Sequence, residues 1–335
     1  MILASLAGCD NVEWGGAELR LVPPAVRDSS ALALGEDGLT PPSFPLPEDP
    51  VLLIAHAIDD ELTFVPVAEI SDSGLQPLPQ DAEFPGFDSA WVASAFPAGT
   101  RLSMIAGGAA VGTFVVEAPR PATGWCEPRF ALQGRMELTR SIANPSRLLA
   151  QTMVPASVAA AVHEAPNHNY DQRVAGIELA IETIAQVGAR WPESVLATRQ
   201  DMRAFDLGTR GRPAIAASFV FRDSLAIGPP ESDAAYSLMV IAEDRGGSQN
   251  NGYRQVFTWY RPVADGRKAT ARVYEHADVD GDGDHEIVLE VFGVAARSAV
   301  VLDRDGDIWQ EAFASPCVDV DAATPATATA TTIDG

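Results

Sequence analysis

Between Asp278 and Glu286 the chain reads DVDGDGDHE, with a carboxylate at every second position. Calcium is a hard cation that takes six to eight oxygens at ~2.3–2.6 Å, and alternate side chains of a tight loop converge well enough to supply them. In this pattern Asp278, Asp280 and Asp282 offer carboxylates, Asp284 its main-chain carbonyl, and Glu286 a closing carboxylate. Gly283, sixth in the loop, permits the sharp turn that a Cβ would hinder. Carboxylates packed this closely repel one another unless a cation is held between them. The alternative reading of the same residues is an acidic surface turn.

Other reactive residues are fewer. His163-Glu164 and His168 have the residue types of a zinc-protease helix. The second histidine stands five residues on instead of four, and Pro166 interrupts the helix that would bring both to one face. His276 and His285 flank the acidic loop and are expected to face solvent. There is no G-x-S-x-G and no phosphate-cradling loop. Asp303 to Asp307 (DRDGD) reads as a hairpin turn with Gly306 at positive φ. Three cysteines are present. Leu6-Ala7-Gly8-Cys9 resembles a bacterial lipobox, which implies lipidation at Cys9, although only eight residues precede it and none is basic. That leaves Cys126 and Cys317, either as one bridge in an oxidising compartment or as two buried thiols.

The acidic loop shares its D-x-D-x-D-G opening with an EF-hand, but position twelve is Leu289 where that motif needs a glutamate. The residues that follow, IVLEVF, are β-branched and alternating, so a strand is expected in place of a helix. The loop resembles that of FG-GAP or VCBS-type repeats, the blade units of β-propellers, over residues 195–315. The resemblance implies calcium as the bound cation, with Asp278, Asp280, Asp282, Asp284 and Glu286 as its ligands. It also fits an internal repeat offset by 72 residues. Asp206 to Ile215 aligns on Asp278 to Ile287 without gaps, and each copy runs on into apolar strands. The first copy has Gly208 and Arg210 where the second has Asp280 and Asp282, so it is expected to fold without metal, with Arg210 pairing with Asp206 or pointing into water. Two units do not close a propeller.

The rest of the chain must position this loop. Its 335 residues are 47% hydrophobic, ample for a packed core. Acidic residues outnumber basic ones 46 to 23, a net charge of −23 that repels phosphate backbones and argues against nucleic-acid binding. Lys268 is the only lysine. The longest uncharged apolar run, Met104 to Val116, is too short for the ~20 residues of a membrane span and reads as a hairpin turning at Gly107-Gly108. Val51 to Ile70 reads as two strands joined at Asp59-Asp60. Tyr170 to Arg190 reads as a helix capped by Asn169, with Val174, Ile177, Ile181, Ile184 and Val187 forming a core-facing stripe. A short helix is expected within 153–164.

The expected fold is therefore mainly β with one or two helices. It comprises a lipoprotein signal remnant (1–9), a Pro/Gly-rich tether (10–50), a small β domain (51–120), a connecting segment holding the helix (121–190), an FG-GAP-like β module of two degenerate repeats (191–316) and a disordered tail (317–335). The function that fits is a non-catalytic, exported, calcium-binding envelope lipoprotein. It would face the periplasm or the cell surface, hold the membrane only through Cys9, and serve a structural role or bind a protein or glycan partner. The alternative is an extracytoplasmic hydrolase with a dispersed active site.

Overall fold

A computed structural model describes residues 46–58, 61–80, 86–126, 130–142, 147–160, 168–207 and 212–316. The protein is mainly β with few helices. The lipobox with Cys9, the tether up to residue 45, and Cys317 with the tail lie outside the described residues.

Seven strands build the first half: β1 Val51–Ile58, β2 Glu61–Ser71, β3 Gly74–Pro77, β4 Arg101–Ala106, β5 Ala109–Pro121, β6 Phe130–Leu138 and β7 Leu149–Gln151. Their order is β1-β7-β4-β5-β6-β2-β3, and β1 also pairs with β2, so six strands close a barrel and β3 extends it. As the glycine pair predicts, β4 and β5 meet at a turn through Gly107 and Gly108, both at positive φ. Val51, Leu53 and Ala55 of β1 share a core with Phe64, Phe114 and the helix α1 (Phe87–Ala95), which inserts Trp91 and Val92. Leu52 and Ile54 of the same strand join a different core, with Tyr274, Val288 and Val301. Both faces of β1 are thus covered, which is why VLLIA runs apolar without alternation.

The barrel takes β6 and β7 from the segment expected to be only a connection, so it extends to Gln151 instead of ending near 120. Neither strand carries a clear period-two signal. β7 has three residues, and β6 contains Gly134, where a Cβ would stand 2.1 Å from the Val115 carbonyl oxygen. That glycine is needed for close approach of β5 and β6, and it reads from sequence as a strand breaker.

The second half holds two four-stranded antiparallel meanders. One is β8 Arg199–Phe205, β9 Ala214–Phe221, β10 Tyr236–Asp244 and β11 Tyr253–Pro262. The other is β12 Thr270–Ala277, β13 Glu286–Phe292, β14 Arg297–Asp305 and β15 Ile308–Ala314. Strands run consecutively across each sheet. Shifting by 72 residues carries the end of β8 (Phe205) onto the end of β12 (Ala277) and the start of β9 (Ala214) onto the start of β13 (Glu286). The second residue of each intervening loop, Leu207 and Val279, is buried.

The meanders share a core through Phe205, Met239 and Trp259 from one sheet and Ile287, Leu289 and Leu302 from the other. The far face of β12–β15 packs on the barrel, and the far face of β8–β11 on helix α3 (Tyr170–Gln186). The layers are barrel, sheet, sheet, helix. With both faces covered, β9 and β13 are buried at every residue.

Helix α3 begins as expected. The Asn169 side chain accepts from the Gln172 N–H, and the Gln172 side chain returns the bond to the Asn169 N–H. Its buried face differs from the expected stripe. Gln172, Ala175, Gly176, Leu179, Ala180, Thr183 and Ile184 are buried, whereas Ile181 is 41% exposed and Val187 37%. Of the expected stripe only Ile184 is fully buried. Small residues let the helix lie close on the sheet, and a Cβ on Gly176 would come within 3.4 Å of the Ala217 Cβ. Gln172 donates to the Tyr253 hydroxyl at 2.8 Å and Thr183 to Gln255 Oε1 at 2.8 Å, so the polar members of the face are satisfied.

Candidate metal centre

The acidic loop connects β12 to β13, a strand where an EF-hand would have a helix. Its ends are fixed by two buried residues, Ala277 in the core against the barrel and Ile287 in the core between the two sheets. Gly281 (φ 88°) and Gly283 (φ 101°) adopt left-handed conformations that turn the loop back on itself. The first three aspartates each fold over the chain just ahead of them. Asp278 Oδ1 accepts from the Gly281 N–H at 2.7 Å, Asp280 Oδ1 from Asp282 at 3.1 Å, and Asp282 Oδ1 from Asp284 at 2.8 Å.

Three of the five expected ligands converge. Asp278, Asp280 and Glu286 place one carboxylate oxygen each within 4.8 Å of one another, and among the described residues no other group of three histidine, cysteine or acidic side chains does so. This triad could hold a metal ion. Asp282 and Asp284 are exposed and outside the triad, with Asp282 engaged in its turn.

Asp278 and Glu286 are buried, at 1% and 3% exposure. Asp278 Oδ2 accepts from the Ser157 hydroxyl at 2.6 Å. Glu286 Oε2 accepts from the Val279 N–H, but Glu286 Oε1 is buried with no hydrogen-bond partner among the described residues. Burial, joined by the charges of Asp280, Asp282 and Asp303, pushes the Glu286 carboxyl up to about 9. Asp280 is exposed, but partial desolvation by the loop, with repulsion from Asp282, Asp278 and Asp303, raises its carboxyl as well. A cation at the centre of the triad would reverse both effects, because an adjacent positive charge favours the ionised carboxylate.

Sequence reading missed the supports of the loop. Gln151 at the end of β7 donates to the Val279 carbonyl at 3.0 Å. Ser157 lies on the short helix α2 (Ala156–Ala160), and Pro155 packs where a Gly281 Cβ would meet it at 3.3 Å. These contacts span more than a hundred residues of chain, and nothing local marks them.

Both histidines depart from the expected solvent-facing position. His276 is buried at 2%, because β12 is covered by a sheet on each side. Its Nδ1 lies 3.1 Å from Glu275 Oε1, and Glu275 also faces Arg203 at 3.6 Å. His285 is half-buried, its ring filling the space beside Gly108 of the barrel hairpin, and burial lowers its pKa. The 303–307 turn has Gly306 at φ 63°, as its sequence implies, and is tied to β10 by Arg245, which bridges Asp307 and Glu243. His163, Glu164 and Arg210 lie outside the described residues, so the zinc-like motif and the Arg210–Asp206 pairing are not described.

No family model, curated protein or solved structure matches the chain. Among the described residues no helix is long and apolar enough to cross a membrane.

Proposed function

We propose that the Asp278–Glu286 loop binds calcium as an FG-GAP-like unit. On this reading the chain is a non-catalytic, exported, lipid-anchored envelope protein whose metal-stiffened β module serves a structural role or binds a protein or glycan. The observation that carries the metal reading is the buried, unpartnered Glu286 Oε1 beside Asp278 and Asp280. A bare buried carboxylate oxygen is costly, and a cation removes the cost.

The donor set favours calcium. All three converging groups are hard oxygens, with no thiolate and no imidazole among them, which disfavours zinc and copper. Asp282 and the Asp284 carbonyl lie on the same loop and can close on an ion, giving the higher and more flexible oxygen count that calcium tolerates and magnesium does not. Lipid anchoring rests on the Cys9 motif.

The test is thermal melting with calcium and with chelator. A ligand that binds only the folded state adds ~2.7 kcal/mol at a hundredfold excess over Kd. Half-saturation near ~10⁻⁴–10⁻³ M would suit an extracellular module. Asp280→Ala should abolish most of the shift while leaving the chelated melt little changed, since Asp280 is exposed. A melt that ignores both calcium and chelator, with no metal retained by elemental analysis, would sink the proposal.

A further inference from the structure

Helix α3 buries one face on β9 and β10, and its opposite face carries a second apolar row. Tyr170, Val174, Ile177 and Ile181 follow one another at spacings of four, three and four. Tyr170 is 70% exposed and Ile181 41%, and Val174 and Ile177 between them are half-buried. At the carboxyl end of the row stand Trp191 and Leu196, each 54% exposed, the latter on helix α4 (Val195–Thr198) packed beside α3. A helix apolar on two opposite faces is built to be packed on both. The four-three-four spacing is that of a coiled-coil seam, so the partner it fits is another helix.

We infer that the outer face of α3 pairs with α3 of a second copy of this chain, parallel and about a two-fold axis. The charges beside the seam select both copy and direction. With Val174 and Ile181 as the a positions and Tyr170 and Ile177 as the d positions, Arg173 takes the g position and Glu178 the e position that follows it. In a parallel pair a g residue meets the e residue five places on in the other helix, and 173 + 5 = 178. Arg173 of each copy therefore faces Glu178 of the other, twice by symmetry. An antiparallel pair would align e with e and set Glu178 against Asp171 of the other copy. Neither residue is fully buried by the chain's own fold, so both are within reach of a second helix. The seventeen residues of α3 span about 25 Å, or two heptads. The interface is short and the dimer correspondingly concentration-dependent, with Trp191 and Leu196 of both copies gathered at the same end.

The experiment is sedimentation equilibrium of the full chain over a concentration series. Wild type should reach twice the monomer mass. I181E should remain monomeric over the same range, with unchanged circular dichroism and melting, because Ile181 is not part of the core. R173E and E178R should each weaken association roughly tenfold, since each sets two like-charged pairs face to face. Mixed in equal amounts they should associate as tightly as wild type, because the heterodimer restores both pairs. A wild type that is monomeric throughout, an I181E variant that dimerises like wild type, or a mixture no tighter than its components would overturn the inference.

Discussion

Lys268 shows how far a single residue can be committed by its surroundings. The chain's only lysine is buried, with Nζ 2.7 Å from Asp223 Oδ1 and 3.3 Å from the Ser224 carbonyl. Asp223 Oδ1 also takes the Ser224 N–H, while its Oδ2 has no partner among the described residues. Removing one member of such a pair strands the other, so Lys268→Met should cost ~3–5 kcal/mol in urea unfolding. Combining it with Asp223→Leu should recover most of that, and a double variant as unstable as the single one would show that the pair is not the cause. His56 is a second committed residue, buried edge-on to the Trp125 ring. Burial, aided by Arg297, pushes its imidazole from 6.5 down to about 4. The folded state therefore resists a proton that the unfolded chain accepts. The His56 contribution is complete above pH 6.5 and declines as pH falls toward 4, by on the order of 3 kcal/mol. His56→Phe keeps the aromatic contact, and its stability should fall less steeply across that window than wild type. Parallel pH profiles would rule the histidine out.

At the scale of elements, α3 decides most. Its start was legible because capping depends on residues three apart, Asn169 and Gln172. Its buried face was not, because the helix has two apolar faces and periodicity cannot say which of them meets the sheet. The smaller one does, held close by Gly176 over Ala217 and Met202. Gly176→Ala should be neutral or stabilising, as the new methyl meets ordinary contacts and helix propensity improves by up to ~1 kcal/mol. Gly176→Leu should lift the helix and cost ~1–3 kcal/mol in thermal unfolding. Equal melting points for the two variants would contradict the close packing. The loop between β12 and β13 is the converse case. The alternating acids and the positive-φ glycines sit where the one-dimensional pattern puts them, since three i→i+2 and i→i+3 turns are local structures.

At the scale of the molecule, the β12–β15 sheet is the hub, with the barrel on one face and the other meander on the second. Buried charges join these layers. Glu290 is held between Arg272 at 2.6 Å and Arg297 at 2.7 Å, and the Arg297 guanidinium lies over the rings of Trp125 and Phe292. The segment after the barrel docks here too. The Cys126 N–H donates to the Arg297 carbonyl and the Ser315 N–H to that of Ala299, so residue 126 and the end of β15 both border the start of β14. Of the two alternatives for Cys126 and Cys317, we propose the bridge. Non-reducing peptide mapping of protein made in an oxidising compartment should recover the two as one linked peptide. In the loop-entropy picture, reduction should destabilise by about 5 kcal/mol for a loop this long. Recovery of both as free thiols would reject the bridge.

The sequence by itself determined what depends on neighbours a few places away: the order of the acids from Asp278 to Glu286, the strand after them, the glycine turns at 107–108 and 306, and the cap at Asn169. The 72-residue offset also placed the start of β9 on that of β13, whereas shifting β10 by the same amount lands on β15 instead of β14. Tertiary structure alone decided which acids converge, because Asp282 and Asp284 follow the same alternation as Asp278 and Asp280 but stay in solvent. It also decided that His276 is buried, that Gln151 and Ser157 support the loop, and that β6 and β7 close the barrel. Each of these outcomes depends on which layer covers which face. That choice is made by packing between segments far apart in the chain, and a pattern read along one dimension does not contain it.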